Sequence, residues 1–295
     1  MTAAVDIVDV LIPTCGRPAA LAITLTALAA QSGPSLRIVV SDQSDHVDQS
    51  ESVAGSEAPE VLAVLRYLRA RGVAVEVRRH LPRRGMAEQR AFLLSLARAP
   101  CCLFLDDDVI LEPGLVARLH AALLAQGCGF VGSAVHGLSY LGQERPAQEA
   151  IEFWEGRVQP ELLRPGSKAW GRHHLHSAAN LFHVQSRATG HPDHRDRLYR
   201  VAWIGGCVLF DTAKLRDCGG FDFWRDLPVD HCGEDVQAQL RVMARYGGCG
   251  LLPSGAYHME LPTTVTAREV DAPYLLFDGE SGRAPAAGAG RVADA

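Results

Sequence analysis

Leu103-Phe104-Leu105-Asp106-Asp107-Asp108 decides how the chain is read, because an apolar strand ends there on three consecutive acids. Like charges crowded at a strand end are unfavourable without a counter-ion. A divalent cation held by carboxylates relieves them, and hard Mg²⁺ or Mn²⁺ prefers such oxygen ligands. The same ion would bridge the phosphates of a ligand. A solvated acidic turn capping a helix over 112–125 explains the triplet equally well. Its surroundings have to choose.

Upstream, the pattern alternates strand and helix. An apolar run over 8–13 ends at a proline, and Leu21, Leu25 and Leu28 then share one helical face behind Pro18. A buried-strand run over 36–40 stops at Ser41-Asp42-Gln43-Ser44. Val61, Leu62, Leu65 and Leu68 form a helical stripe, 73–77 reads as a third strand, and a helix over 86–97 leads into the strand at 101–105. That order implies an α/β fold with a mostly parallel central sheet flanked by helices. Ligands of such sheets bind beyond the carboxyl ends of the strands. The segments just past those ends, 14–17, Asp42, 83–85 and 106–108, therefore hold the candidate site.

Downstream, the character changes. Residues 136–200 are polar and hold seven of the 12 histidines, which reads as an insertion with little regular structure. A strand over 201–210, a short helix over 212–217 and a helix over 233–246 follow. From about residue 280 the chain is mostly Ala, Gly and Arg without periodicity and reads as a disordered tail. The division expected is a first half over 1–115, a second half over 116–262 carrying the insertion 136–200, and a partly disordered extension over 263–295.

Composition narrows the class. The 295 residues are 47% hydrophobic and carry a formal charge of −5, which argues against wholesale disorder and against an electrostatic nucleic-acid surface. Of the 29 basic residues only Lys168 and Lys214 are Lys, leaving arginine to bind anions through its planar fork. No apolar run approaches the roughly 18 residues of a membrane span. The eight cysteines include no Cys-x-x-Cys pair, so a cytoplasmic protein without a disulfide framework is expected.

Two further features lie in the second half. Gly233-Glu234-Asp235 opens an amphipathic helix, where acids are favoured by the dipole alone and a general base is the functional alternative. Tyr257-His258 follows the apolar run 250–253. By itself that histidine says little.

Together these stretches resemble the GT-A glycosyltransferases of family 2, over roughly 8–263. Pro13-Thr14-Cys15-Gly16-Arg17-Pro18 resembles that family's Pro-Thr-Tyr-Asn-Arg-Pro loop, with Cys15-Gly16 in place of Tyr-Asn. Val39-Val40-Ser41-Asp42-Gln43-Ser44 is similar to Val-Asp-Asp-Gly-Ser, and Gly85-Met86-Ala87-Glu88-Gln89-Arg90 to the family's Gly-x-Ala-x-x-Arg helix start. Asp106-Asp107-Asp108 matches Asp-x-Asp. Gly205-Gly206, Gly219-Gly220-Phe221-Asp222 and Glu234-Asp235 then follow in the family's order. Short pieces such as these are individually weak; seven in sequence are specific.

The resemblance implies a GT-A (Rossmann-like) nucleotide-diphospho-sugar transferase fold and an inverting, metal-dependent glycosyltransferase. Pro13, Thr14, Arg17, Asp42, Gly85, Arg90, Asp106 and Asp107 would bind a UDP- or GDP-sugar. Asp42 would accept a hydrogen bond from the base. Asp106, Asp108 and His258 would hold Mn²⁺ or Mg²⁺. Asp235 would be the base, with Glu234 as understudy or acceptor-binding group. The acceptor would be a hydroxyl on a glycan, a lipid-linked molecule, with peripheral membrane contact, or a small molecule; a homo-oligomer is compatible. The family's Gln-x-x-Arg-Trp motif is not evident after Asp235, which argues against processive synthesis. An inactive nucleotide-sugar-binding scaffold is the alternative function, and a metal-dependent hydrolase or nucleotidyltransferase a weaker third.

The insertion adds a rival site. His173-His174-Leu175-His176 and His191-Pro192-Asp193-His194 hint at zinc, but lack the fixed set of three or four ligands such a site needs. Trp154, Trp170 and Trp203 are either sugar-stacking platforms or core.

Overall fold

The computed structural model describes residues 6–44, 55–188, 196–265 and 268–281. His191, Asp193 and His194, and the expected tail beyond residue 281, lie outside them. The first half alternates as its sequence demands: β1 (Ile7–Thr14), α1 (Pro18–Ala29), β2 (Ser35–Asp42), α2 (Pro59–Ala70), β3 (Ala74–Arg79), α3 (Met86–Leu96) and β4 (Cys101–Leu105). Both α1 and α2 start on a proline, whose missing N–H is no loss in a first turn. Seven of the eight β1 residues and all five of β4 are buried, as strands covered on both faces require.

The second half supplies β5 (Val109–Leu111), α4 (Leu115–Gln126), β6 (Phe130–Gly132), α5 (Asn180–Ala188), β7 (Arg197–Tyr199), β8 (Cys207–Asp211), α6 (Thr212–Asp217), α7 (Glu234–Tyr246), β9 (Gly248–Leu252), β10 (Ala256–His258) and α8 (Ala272–Ser281). The main sheet runs β3-β2-β1-β4-β8-β6-β9-β7. Its β3-β2-β1-β4 part is parallel, whereas β8 is antiparallel to both neighbours and β7 to β9. Chain order reverses between β1 and β4, so a ligand crevice opens beyond their carboxyl ends.

Helices cover both faces. Leu21, Leu25, Leu65, Leu68 and Leu119 pack on one. Leu93, Leu215, Leu240 and Met243 pack on the other. Each such side chain contributes about 1.5–3 kcal/mol of transfer free energy. No helix among the described residues is long and apolar enough to cross a membrane.

Three local expectations change. The strand expected over 201–210 begins at Cys207, because Gly206 at φ +77° turns the chain just before it. The helix expected from residue 112 begins at Leu115, after the left-handed Gly114. The insertion has more regular structure than its composition suggests: α5, a nine-residue 3₁₀ segment Lys168–His176, and β7, which closes the sheet edge. Within the extension 263–295, residues 272–281 form α8.

Candidate active site

The acidic triplet sits at the β1/β4 crevice, where Arg17 Nη1 reaches both Asp107, at 3.4 Å, and Asp108. Asp107 turns inward, accepting 2.6 Å from Thr14 Oγ1 across the crevice, and is nearly buried. Its backbone oxygen accepts from Thr24 Oγ1 at 2.8 Å. Asp108 Oδ2 pairs with Arg17 Nη1 at 2.7 Å and with His258 Nε2 at 3.5 Å. Asp106, the most exposed of the three, pairs with Arg90 Nη2 at 3.0 Å. Burial pushes Asp107 up to about 6, despite the Thr14 hydrogen bond. Asp108 is raised too, again by burial first and with Asp106 adding to it, although His258 pulls the other way.

His258 reaches the triplet through a small second sheet that the sequence did not announce. Antiparallel pairing of β10 with β5 sets His258 opposite Val109, and Met259 N donates to Asp108 O at 2.9 Å. Arg17 also donates to the carbonyl of Pro262, fastening the segment after β10 to the β1 loop.

Arg90 joins the triplet to the second acidic pair. Its Nε donates to Glu234 Oε1 at 2.9 Å while Nη2 holds Asp106, and its side chain is almost fully buried. Burial alone would weaken its charge; Asp106 and Glu234 more than reverse that, so the guanidinium stays protonated. Asp235 stands beside them at the start of α7. Its Oδ1 accepts from Val236 N at 2.9 Å. Burial and then the Glu234 charge push its carboxyl up to about 7, against the pull of Arg90. Arg90, Phe104, Ile204, Gly206, Asp235 and Gln239 line a cavity of about 10 Å³ beside that carboxyl. It is the size of one water. Gln239 clamps its wall, accepting from Ile204 N and donating to Ile204 O, both at 2.8 Å.

The structure therefore brings Thr14, Arg17, Arg90, Asp106, Asp107, Asp108, Glu234, Asp235 and His258 into one cleft. Pro13 lies on its floor, paired with Ser41 across β1 and β2. Asp42 is fully buried, and both of its oxygens close a loop, accepting from Ser44 N, Ser44 Oγ and Ser56 N. Next to it the Gln43 amide nitrogen is buried without a hydrogen-bond partner among the described residues. Gly85, at φ +97°, caps α3 where a Cβ would strike His231 and Val229.

Gln43, Gln89, His231 and Gln239 are the residues the sequence did not single out. Gln89 is 1% exposed and donates to Ser41 O at 2.8 Å, tying α3 to β2. Gln89, in the first turn of α3 next to the motif arginine Arg90, carried an available signal; Gln43, His231 and Gln239 carried none.

A divalent cation was expected on Asp106, Asp108 and His258. Asp108 and His258 already converge, and the neighbouring carboxyls are held above their ordinary range by burial and mutual repulsion, a condition a cation relieves. The oxygen-rich donor set suits Mn²⁺ or Mg²⁺. The residues fit such an ion. Among the described residues no three potential ligands stand in ready-made coordination, because Arg17 and Arg90 hold the two aspartates.

In the insertion, Trp170 is buried core. Trp203 has His173 stacked on it at 4.7 Å and Trp170 at 4.5 Å. Trp154 lies under Arg200, 3.8 Å from the guanidinium carbon. His173 Nδ1 is bonded to Trp170 O and His176 Nε2 to the Tyr199 hydroxyl.

The family model of glycosyl transferase family 2 matches residues 9–188. None of the curated proteins matches the chain. Among solved structures, S. aureus TarS is similar with a TM-score of 0.54 and 16% identity, over 85% of this chain and 36% of that one. The structure of TarS 1-349 gives 0.53 and 15%, over 85% and 60%. TarS 1-349 in complex with UDP-GlcNAc gives 0.51 and 13%, over 92% and 63%. This chain thus spans less than two thirds of each of those chains. At these identities the likeness establishes the GT-A fold, and Asp235 and His258 lie beyond the residues the family model matches.

Proposed function

This chain belongs to glycosyl transferase family 2, and we propose that it moves a sugar from a nucleotide diphosphate to an acceptor hydroxyl, in one inverting displacement with Asp235 as base. One observation carries the reading. Arg90 spans from Asp106, at the donor crevice, to Glu234, the neighbour of Asp235, at 3.0 and 2.9 Å. A group that would meet the leaving diphosphate and a group that would take the acceptor proton are thereby held in one cleft.

An acceptor hydroxyl is a poor nucleophile until its proton is taken as attack proceeds. Asp235 is suited to this, since one oxygen is spent on Val236 N and its raised pKa lets it take and give up a proton near neutrality. Glu234, tied to Arg90, orients rather than reacts. A divalent cation on Asp106, Asp108 and His258 would stabilise charge developing on the diphosphate. Arg17, released from Asp108, would face the same phosphates. Nucleotide choice rests on Asp42 and Gln43. Asp42, now accepting from Ser44 and Ser56, would have to share an oxygen with a base N–H, beside the Gln43 amide donor that has no partner among the described residues; such a pair would suit the N–H and C=O edge shared by uracil and guanine, which supports a UDP- or GDP-sugar donor.

The test is release of nucleoside diphosphate from UDP- and GDP-sugars with Mn²⁺, with and without hydroxyl acceptors. Acceptor-dependent release is expected in the native chain. Asp235→Asn should lower it by about 10²–10⁴-fold, the contribution of a positioned general base, while nucleotide-induced thermal stabilisation survives. A fully active variant would remove Asp235 from the role. Binding without turnover in the native chain would instead indicate a scaffold.

A further inference from the structure

Helix α3 begins without a cap of its own. Its N-cap residue is Gly85, which has no side chain to offer the free first-turn amides. The cap comes from the other half of the molecule. His231, 1% exposed on the loop before α7, accepts from the Ala87 backbone N–H at its Nε2, 3.1 Å away. Its Nδ1 lies 2.7 Å from the Pro228 carbonyl. A backbone N–H can only donate and a carbonyl can only accept. The ring is therefore the neutral tautomer with its proton on Nδ1 and a bare Nε2.

The same two elements meet again three residues further along each. Ala87 meets His231, and Arg90 meets Glu234 at 2.9 Å. Between these clips the chain has no slack. Gly85 lies so close to the loop that a Cβ would stand 2.5 Å from His231 Cε1. Cys232 is bonded on its far side to Val270 and Ala272, and Gly233 is pressed against Asp271. Asp235 is the next residue but one.

We propose that His231 is a positioning residue, which fixes Asp235 against the donor cleft by capping α3 across the two halves of the molecule. It rests on the transferase reading above, yet it is a separate statement. The acidic pair owes its place to the register that the His231 cap and the Arg90 bridge set together. Loss of the cap leaves the Arg90 bridge as the remaining hydrogen-bonded clip from α3 to this stretch, so that the loop held to Val270 and Ala272 can shift relative to α3 and carry Asp235 with it. Displacements of about 1 Å at a reacting group lower turnover by up to about a hundredfold.

Two substitutions separate the cap from simple packing. His231→Gln keeps an acceptor near the Nε2 position, whereas His231→Asn keeps only a donor for Pro228. For His231→Asn, kcat is expected to fall about tenfold to a hundredfold with the donor KM within about twofold, as when an interaction acts only in the transition state. His231→Gln should recover most of that loss. Equal losses in both, an unchanged kcat in His231→Asn, or a loss confined to KM would each overturn the proposal. The tautomer is read independently from the ¹⁵N shifts of His231 in the native chain, and a proton on Nε2 would overturn it as well. Hydrogen exchange at the Ala87 amide, slow in the native chain and His231→Gln and faster in His231→Asn, tests the cap even with no turnover. A native chain that transfers no sugar defeats the transferase reading and leaves these two measurements to decide the cap.

Discussion

The donor cleft and the insertion 136–200 both bury polar groups, but they do so in opposite ways. In the cleft four of the five acids meet a side-chain partner, Asp107 at Thr14, Asp108 at Arg17 and His258, Asp106 and Glu234 at Arg90, and Asp235 accepts from Val236 N. In the insertion, Trp154 Nε1, Arg172 Nε, Asn180 Oδ1 and His183 Nε2 are buried with no hydrogen-bond partner among the described residues. The cleft is thus electrostatically preorganised, in the manner that stabilises developing charge without reorganisation. The insertion instead leaves polar valences for water or a bound molecule to fill.

Removing the cation that answers most acids should break the contrast most severely. Arg90→Gln leaves Asp106, Glu234 and Asp235 crowded around an uncharged amide. Stripping one partner from a buried ion pair costs about 3–5 kcal/mol. Denaturant unfolding should show a loss of that order together with loss of transfer. A change below about 1 kcal/mol would mean that water already screens the cluster.

The charges of the two regions also respond to pH with opposite signs. Asp235 is raised from 3.8 to about 7, chiefly by burial, so the folded state binds its proton more tightly than the unfolded chain does. Its contribution to stability is present at low pH and is lost as pH rises from about 4 to 7. His136 and His176 are lowered by burial from 6.5 to about 4. Their contribution is present above 6.5 and is lost as pH falls towards 4. Between pH 7.5 and 5, protection factors corrected for intrinsic exchange should fall around 136 and 174–185 and hold or rise at the start of α7. Transfer should decline over the same range as Asp235 takes up a proton. Parallel changes in both regions would erase the distinction.

The cleft was legible because charge at strand ends is a local property. Asp106–Asp108 follow β4 directly, and Arg90 and Asp235 open helices whose periodicity is plain. What the sequence could not express is who answers whom. Arg17 facing Asp108, His258 arriving through β5 and β10, and His231 capping α3 depend on chain segments 91 to 150 residues apart. Asp42 looked free to meet a ligand because its two serine partners are ordinary loop residues. The insertion was read as irregular because composition governs that impression, yet three residues of β7 suffice to finish the sheet edge.

The finest test asks whether the unpartnered atoms of the insertion are truly alone. Trp154 Nε1 is buried without a hydrogen-bond partner among the described residues, while the ring itself is held by Arg200 stacked at 3.8 Å. Trp154→Phe removes the donor and keeps an aromatic face for the guanidinium. An unsatisfied donor carries a desolvation penalty, so its removal should offset much of the lost ring area and leave stability within about 1 kcal/mol. A larger loss, measured by denaturant unfolding, would show that a bound water satisfies Nε1. The insertion would then be as fully answered as the cleft, with solvent taking the part that arginine plays there.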